Sequence, residues 1–397
     1  MISKYILFLI LGVDACILFI QTSQVSISYS EARLLYGNPS FLQFLIKSSM
    51  DIFGKNDFGL HLIMIIFHLL SALLIYLISK QYITQNRNRI WLLLVFILLP
   101  GVISSALVVN TAGMIIFGLF LFIYLFPKIP QVWLNFLLFF YTFIDHGFSY
   151  LFLALSVYYF VKKRYDLFSY LLFLYLLNSY IFGLYIYGLP RGHFLDTIGI
   201  YSAIFTPIIF IYLFYNLYRR YLTNEVDYTW YIASIPFILS LVLSFRQRVE
   251  VEYFAPYLIM ALPLAAQSFV SSYRVRLKEH RTGYKLIFVF SFIFLISNAL
   301  LVNLNKNLYL FLDNPKQHFA YKMHIAKELS AILKKRNIHC VETDKKMQLR
   351  LRFYEIDQCN QYTLRELPIN STKTSNVTVS YKDKILYRAN VTIINNI

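Results

Sequence analysis

Most charged residues that could do chemistry in this chain fall in short polar stretches between long apolar runs. The first stretch, SYSEARLLYGNPS over residues 28–40, offers Tyr29, Glu31 and Arg33. A carboxylate there can orient or deprotonate an attacking hydroxyl. The plainer reading of Glu31 is a solvated side chain paired with Arg33 or Lys47. In DHG, Asp145 and His146 stand together, either as substrate-contacting groups or as a turn in which Asp145 caps the next helix. LPRGHFLD carries Arg191, His193 and Asp196. Arg191 with His193 can hold a phosphate or a sugar, or the stretch is a loop turn set by Pro190 and Gly192. RQRVEVEYFAPY carries Arg246 and Arg248, suited to an anionic phosphate. Their alternative is pairing with Glu250 and Glu252 beside them.

The elements that must position these residues are membrane helices. Of 397 residues, 58% are hydrophobic and 14% charged, and the mean hydropathy is +0.57. Soluble domains carry roughly 25% charged residues. The apolar runs are continuous, not alternating, which excludes a membrane β-barrel and predicts an all-α polytopic membrane protein. Eleven runs qualify as spans: 4–20, 58–79, 90–108, 110–126, 131–144, 147–161, 167–188, 199–217, 228–245, 254–272 and 286–304. PGVISSALVVNTAG and DHG can equally be re-entrant turns. No small-x-small cleavage site follows the first run, so it is read as a signal anchor. Asp14 inside it is a costly charge, held by a neighbouring helix or functional. With the N-terminus in the cytoplasm, the inner loops hold Lys80, Arg87, Arg89, Lys128, Lys162, Lys163, Arg164, Arg219, Arg220 and the basic cluster at 274–285. That distribution follows the positive-inside rule. It accounts for most of the net charge of +17 and argues against nucleic-acid binding. The four candidate stretches then lie outside, where basic residues run against the rule and need another purpose.

Residues 21–57 form the first external loop, with an amphipathic helix expected near 40–53 lying in the interface. Here the chain resembles the GT-C superfamily of membrane glycosyltransferases, in the family 39-like branch that includes aminoarabinose and protein-mannosyl transferases. YSEA (29–32) matches the family's Tyr-x-Glu-x element. LIKSSMDIFGKNDFGLHL matches the approach to its second span, with His61 at the usual basic position. The family's paired Asp-Glu is reduced here to Ser30–Glu31. RQRVEVEYFAPYLIMALPLAA (246–266) is similar to its late basic, Pro-containing region, and the stretch from Leu189 to its middle external loop. The resemblance implies an inverting transfer of a sugar from a polyprenyl-phosphate donor to a lipid, glycan or protein acceptor, on the periplasmic face of a bacterial inner membrane. It gives Glu31 the role of catalytic base or orienting carboxylate. Tyr29, Asp145, His146, Arg191, His193, Arg246 and Arg248 become substrate-binding candidates. No resident cofactor is implied, and the residues show no metal cluster; a divalent cation held by Glu31 with Asp14 or Asp145 stays open.

Residues 1–305 are thus read as the transmembrane domain and 306–397 as a small periplasmic α/β domain. In that tail the sequence predicts a helix leading into a short strand, then two β runs joined at KDK (382–384). Cys340 and Cys359 are either bridged or two buried thiols. Rival readings are a transporter or flippase of lipid-linked glycans, which predicts charges buried mid-span and internal repeats, and a Wzy-like polymerase, which predicts two large external loops with key arginines. Only Asp14 lies well inside a span, no repeat is evident, and the largest external loop between spans is the first.

Overall fold

The computed structural model describes residues 2–183, 192–368 and 375–393. Sixteen helices lead: α1 (Ile2–Gln24), α2 (Tyr29–Tyr36), α3 (Phe41–Phe53), α4 (Asp57–Tyr82), α5 (Asn86–Leu98), α6 (Pro100–Leu107), α7 (Thr111–Leu125), α8 (Gln131–Ile144), α9 (Ser149–Val161), α10 (Tyr165–Phe182), α11 (Phe194–Phe205), α12 (Pro207–Leu222), α13 (Tyr228–Ser244), α14 (Val251–Ile259), α15 (Leu262–Val275) and α16 (Lys278–Asn303). After them come α17 (Ala326–Lys335), α18 (Lys345–Phe353), β1 (Tyr362–Leu367), β2 (Val377–Tyr381) and β3 (Lys384–Ile393). The chain divides into two compact units.

The first unit comprises Met1–Ala15, Ser40–Leu42 and Met64–Ala299. Among the described residues five helical segments are long and apolar enough to cross a membrane, and two bent pairs raise that to seven. Four shorter apolar helices occupy the runs near 110–126, 131–144, 147–161 and 228–245. Two expected spans are broken. The run at 90–108 bends by 59° where extended Leu99 precedes Pro100. The run at 199–217 turns by 106° at Thr206, whose φ of 66° precedes Pro207. Both breaks have the same cause: proline disfavours helical geometry in the residue before it and starts a new helix at its first position. Large aromatics fill the interior, including Phe96, Phe120, Phe152, Tyr201 and Phe205. α16 instead exposes Leu286, Ile287, Phe290 and Ile293, a surface suited to lipid.

The second unit comprises Cys16–Pro39, Gln43–Ile63 and Leu300–Ile397, so the first-loop segments group with the C-terminal residues. Its three-stranded antiparallel sheet has the order β1-β3-β2. The turn joining β2 to β3 falls at the expected KDK, with Lys382 at φ 51°. α17 packs on β2 and α18, and Leu329, Leu333, Val341, Leu351, Val377 and Val379 form the core between them. Cys340 and Cys359 are disulfide-bonded, with their Cα atoms 5.4 Å apart, beside a parallel bridge from Cys340 to Asp357.

Candidate functional site

Glu31 is set by local sequence. Ser28 is the N-cap of α2: its hydroxyl accepts from Glu31 N–H at 3.3 Å, and Ser28 N–H donates to Glu31 Oε2 at 2.7 Å. This reciprocal Ser-x-x-Glu capping box satisfies two backbone donors that a helix start otherwise leaves unpaired. Glu31 Oε1 meets His61 Nε2 at 3.1 Å, and both side chains are 0% exposed. The plainer reading of Glu31 as a solvated loop carboxylate therefore does not hold. The proton count follows from geometry. His61 Nδ1 lies 2.7 Å from the Asp57 carbonyl, which can only accept, so Nδ1 carries a hydrogen. The Nε2 contact then requires a further proton, held by the imidazole or by the carboxyl. One proton is shared by a buried couple joining α2 to α4. Tyr29, half-buried in the first turn of α2, has the Lys346 ammonium 5.8 Å from its ring centre.

In the first unit, three of the candidate stretches meet. Asp145 ends α8 and caps the turn that starts α9, its Oδ1 accepting from Gly147 N–H at 2.7 Å. A Cβ at Gly147 would meet Ile115 Cδ1 at 2.2 Å, so a larger residue there would force that side chain to shift. Burial pushes the Asp145 carboxyl up to about 6, with the Gly147 N–H working against the rise. Asn178 of α10 donates to the carbonyls of Thr142 and Asp145 (2.9 and 3.2 Å), and Tyr257 of α14 donates to the Gly147 carbonyl at 2.6 Å. His146 lies edge-on to Tyr150 and Tyr253, with ring centres 5.7 Å away in each case. Around this turn His146 Nδ1, Ser149 Oγ, Asn178 Oδ1 and Ser179 Oγ are buried without a hydrogen-bond partner among the described residues. Unpaired groups of this kind cost about 1–3 kcal/mol each, so a polar ligand with several hydroxyls suits the place.

Tyr253 and Tyr257 bring in the segment after α13, which carries Arg246 and Arg248. Both residues are exposed and form no ion pair among the described residues, so the alternative pairing with Glu250 and Glu252 does not form. His193 joins the same segment: its N–H donates to the Ser244 carbonyl at 2.7 Å, and Phe194 stacks on Phe245 at 4.6 Å. His193 Nδ1 also meets exposed Asp196 at 3.2 Å. Arg191 lies outside the described residues. Sequence reasoning missed Asn178, Tyr253 and Tyr257, whose one signal was a polar or phenolic side chain in an apolar run.

Within α1, Asp14 meets His68 of α4 at 2.7 Å. Among the described residues no group of three or more His, Cys, Asp or Glu could hold a metal ion, and the Glu31 oxygens face Ser28 N–H and His61.

The architecture defines a class: a polytopic helical membrane protein with a small C-terminal sheet. No family model and no curated protein matches the chain. Among solved structures it is similar to ArnT from Cupriavidus metallidurans in the apo state, with a TM-score of 0.59 at 10% identity over 99% of this chain and 98% of that one. The likeness is one of fold. It extends over the whole length of both chains and, at this identity, carries nothing beyond the fold.

Proposed function

We propose that this chain is a membrane glycosyltransferase. It takes a sugar from a polyprenyl-phosphate donor and passes it, with inversion, to a lipid, glycan or protein acceptor on the periplasmic face of a bacterial inner membrane. The observation that carries the reading is the Asp145–His146 turn, where a desolvated carboxyl and polar groups without partners among the described residues meet Tyr253 and Tyr257 of the segment that carries Arg246 and Arg248. In the reaction the acceptor oxygen bonds to the anomeric carbon from the face opposite the phosphate. The carbon–oxygen bond to phosphate breaks, and the leaving phosphate keeps the electron pair. Arg246 and Arg248 hold the growing phosphate charge, the type of stabilisation that contributes most to such transfers. Asp145, titrating near neutrality, takes the acceptor proton. His146, Ser149, Asn178 and Ser179 pair with sugar hydroxyls. Glu31 acts through His61 by fixing the first loop, which makes it a positioning residue in this reading.

Comparative glycolipid mass spectrometry tests it. A deletion strain should lose one sugar from a lipid, glycan or protein, and an Arg246→Gln/Arg248→Gln strain should lose most of it. A deletion that alters no glycan would sink the reading. A carrier of lipid-linked glycans is the second reading, favoured by the part-buried Asp14–His68 couple. It requires glycolipid to accumulate unmodified on the inner leaflet of the deletion strain.

A further inference from the structure

The second unit contains a cavity of about 320 Å³, lined by Leu35, Tyr36, Gly37, Lys47, Met50, Lys55 and Arg352. Local geometry builds each wall. Buried Gln43 of α3 donates to the carbonyls of Leu34, Leu35 and Gly37, fastening α3 under the end of α2. Gly37 lets the chain turn there, because a Cβ would lie 2.3 Å from the Arg33 carbonyl oxygen. Lys47 and Met50 come from α3, and Lys55 from the turn before α4. Arg352 comes from α18, which the Cys340–Cys359 disulfide brackets.

Three cations and no carboxylate line this space. Lys47, Lys55 and Arg352 form no ion pair and donate no side-chain hydrogen bond among the described residues. The Arg352 guanidinium lies 4.6 Å from the Tyr36 ring centre, so stacking holds it while its N–H edges stay free. The Tyr36 hydroxyl is buried and has no hydrogen-bond partner among the described residues. Burial raises its pKa, with Arg352 pulling the other way and Asp357 adding to the rise, so it stands as a neutral donor. Of the nearby acids, Glu355 is engaged by Lys334 at 2.8 Å. Asp51, on α3 with Lys47, is exposed, as is Asp357.

We infer that this cavity is a binding site for a phosphate group, held by Lys47, Lys55 and Arg352, with the Tyr36 hydroxyl as a fourth donor. Three point charges and a phenol match a compact, multiply charged oxyanion. The planar guanidinium suits two phosphate oxygens at once, and Leu35 and Met50 offer an apolar side to an esterified carbon. The volume is at the small end for ligand cavities, roughly 300–1,000 Å³, so the site takes a head group and not a long peptide. A phosphate ester of a lipid and free phosphate share this chemistry. The site is separate from the guanidiniums assigned above to the donor and does not depend on that assignment.

Binding is measured on the full chain in detergent, by thermal stability and phosphorus NMR line width. The probes are inorganic phosphate, dihexanoyl phosphatidic acid and dihexanoyl phosphatidylcholine. Phosphate or phosphatidic acid should bind saturably, and Arg352→Gln or Lys55→Gln should weaken binding by tenfold or more. Tyr36→Phe removes a hydroxyl that bonds nothing among the described residues, so it leaves folding intact and should weaken binding about tenfold, the scale of one hydrogen bond to a charged group. Tighter binding of phosphatidic acid than of phosphate identifies the lipid as the source; the reverse order identifies the free ion. The inference fails if phosphatidylcholine or chloride at equal ionic strength does as much, or if Arg352→Gln and Tyr36→Phe bind like wild type. Since no sugar transfer is read, a failed transferase assay and a failed binding assay are distinct results.

Discussion

Replacing Glu31 separates a positioning role from a chemical one. Glu31→Gln keeps length and shape. The amide oxygen still accepts from Ser28 N–H, and the NH2 group can donate to His61 Nε2 once that imidazole is singly protonated. The exchange removes the shared proton and neither contact, so its cost stays near 1 kcal/mol, the scale of one hydrogen bond. Glu31→Ala deletes both contacts at a site with 0% exposure. Stranding one member of a buried pair costs ~3–5 kcal/mol, and loss of the capping box adds roughly 1 kcal/mol. At roughly 2–4 °C per kcal/mol for a domain of this size, the midpoint falls by on the order of 10–20 °C. The assay pairs a fluorescence melting curve of the full chain in detergent with glycolipid mass spectrometry. Glu31→Gln should melt within a few degrees of wild type and retain most transfer, while Glu31→Ala loses both. Glu31→Ala/His61→Leu should recover part of the stability, because the imidazole is no longer stranded and only Ser28 N–H is left without its acceptor. A Glu31→Gln protein that melts like wild type and transfers no sugar would refute the positioning role and return the carboxylate to the chemistry.

Arg246→Gln and Arg248→Gln should raise the donor KM with the melting curve unchanged; equal turnover at limiting donor would exclude both from phosphate binding. The Asp145 carboxyl, raised to about 6, is ionised only above that value. Transfer should therefore climb through pH 6 in wild type, and Asp145→Asn should abolish that inflection along with most activity. Stability has the opposite sign: the folded state keeps a proton that the unfolded chain releases from about pH 3.8, so the Asp145 contribution declines between 3.8 and about 6. In the C-terminal region His324 is held down to about 3, by burial first and then by the charges of Lys306 and His318. The unfolded chain binds a proton there below about 6.5 and the folded state does not, so stability falls as pH drops from 6.5 towards 3. At pH 5 the loss is roughly 2 kcal/mol, from ~1.4 kcal/mol per unit, and His324→Asn should flatten the acid limb of a pH–melting series.

The helical bundle was legible because its signal is thermodynamic and local: a run of twenty apolar residues has few places to go except lipid or a core. The breaks were less so. Pro100 and Pro207 are visible, but a proline in an apolar run can kink, break or merely bend a helix. Only the positive φ of Thr206 settles a turn of 106°. The β2–β3 hairpin could be read from its alternating residues around KDK. β1 and α18 could not, since KKMQLRLRF has neither a clean helical stripe nor a cap beyond Asp344. The cost of missing α18 was the cavity itself, because Arg352 meets Tyr36 across more than three hundred residues of sequence.

Glu31 shows how a correct motif can carry the wrong environment. Its place just outside the first span suggested a carboxylate at the membrane surface, and the resemblance gave it a catalytic role. The same residues contain Ser28-x-x-Glu31, a capping box that ties the carboxylate to a backbone N–H and turns it into the helix. A carboxylate drawn in that way needs a second partner once it is buried. The nearest polar side chain in the following apolar run is His61, at the position where the resemblance expects a basic residue. The one departure from that pattern, Ser30 in place of a second acid, leaves Glu31 and His61 to form the arrangement alone. Its chemistry calls for one buried proton, whereas a base that takes protons from an acceptor calls for access. Asp145 is only partly buried where Glu31 is 0% exposed, and desolvation raises its carboxyl to about 6, closer to the value that suits a working acid or base.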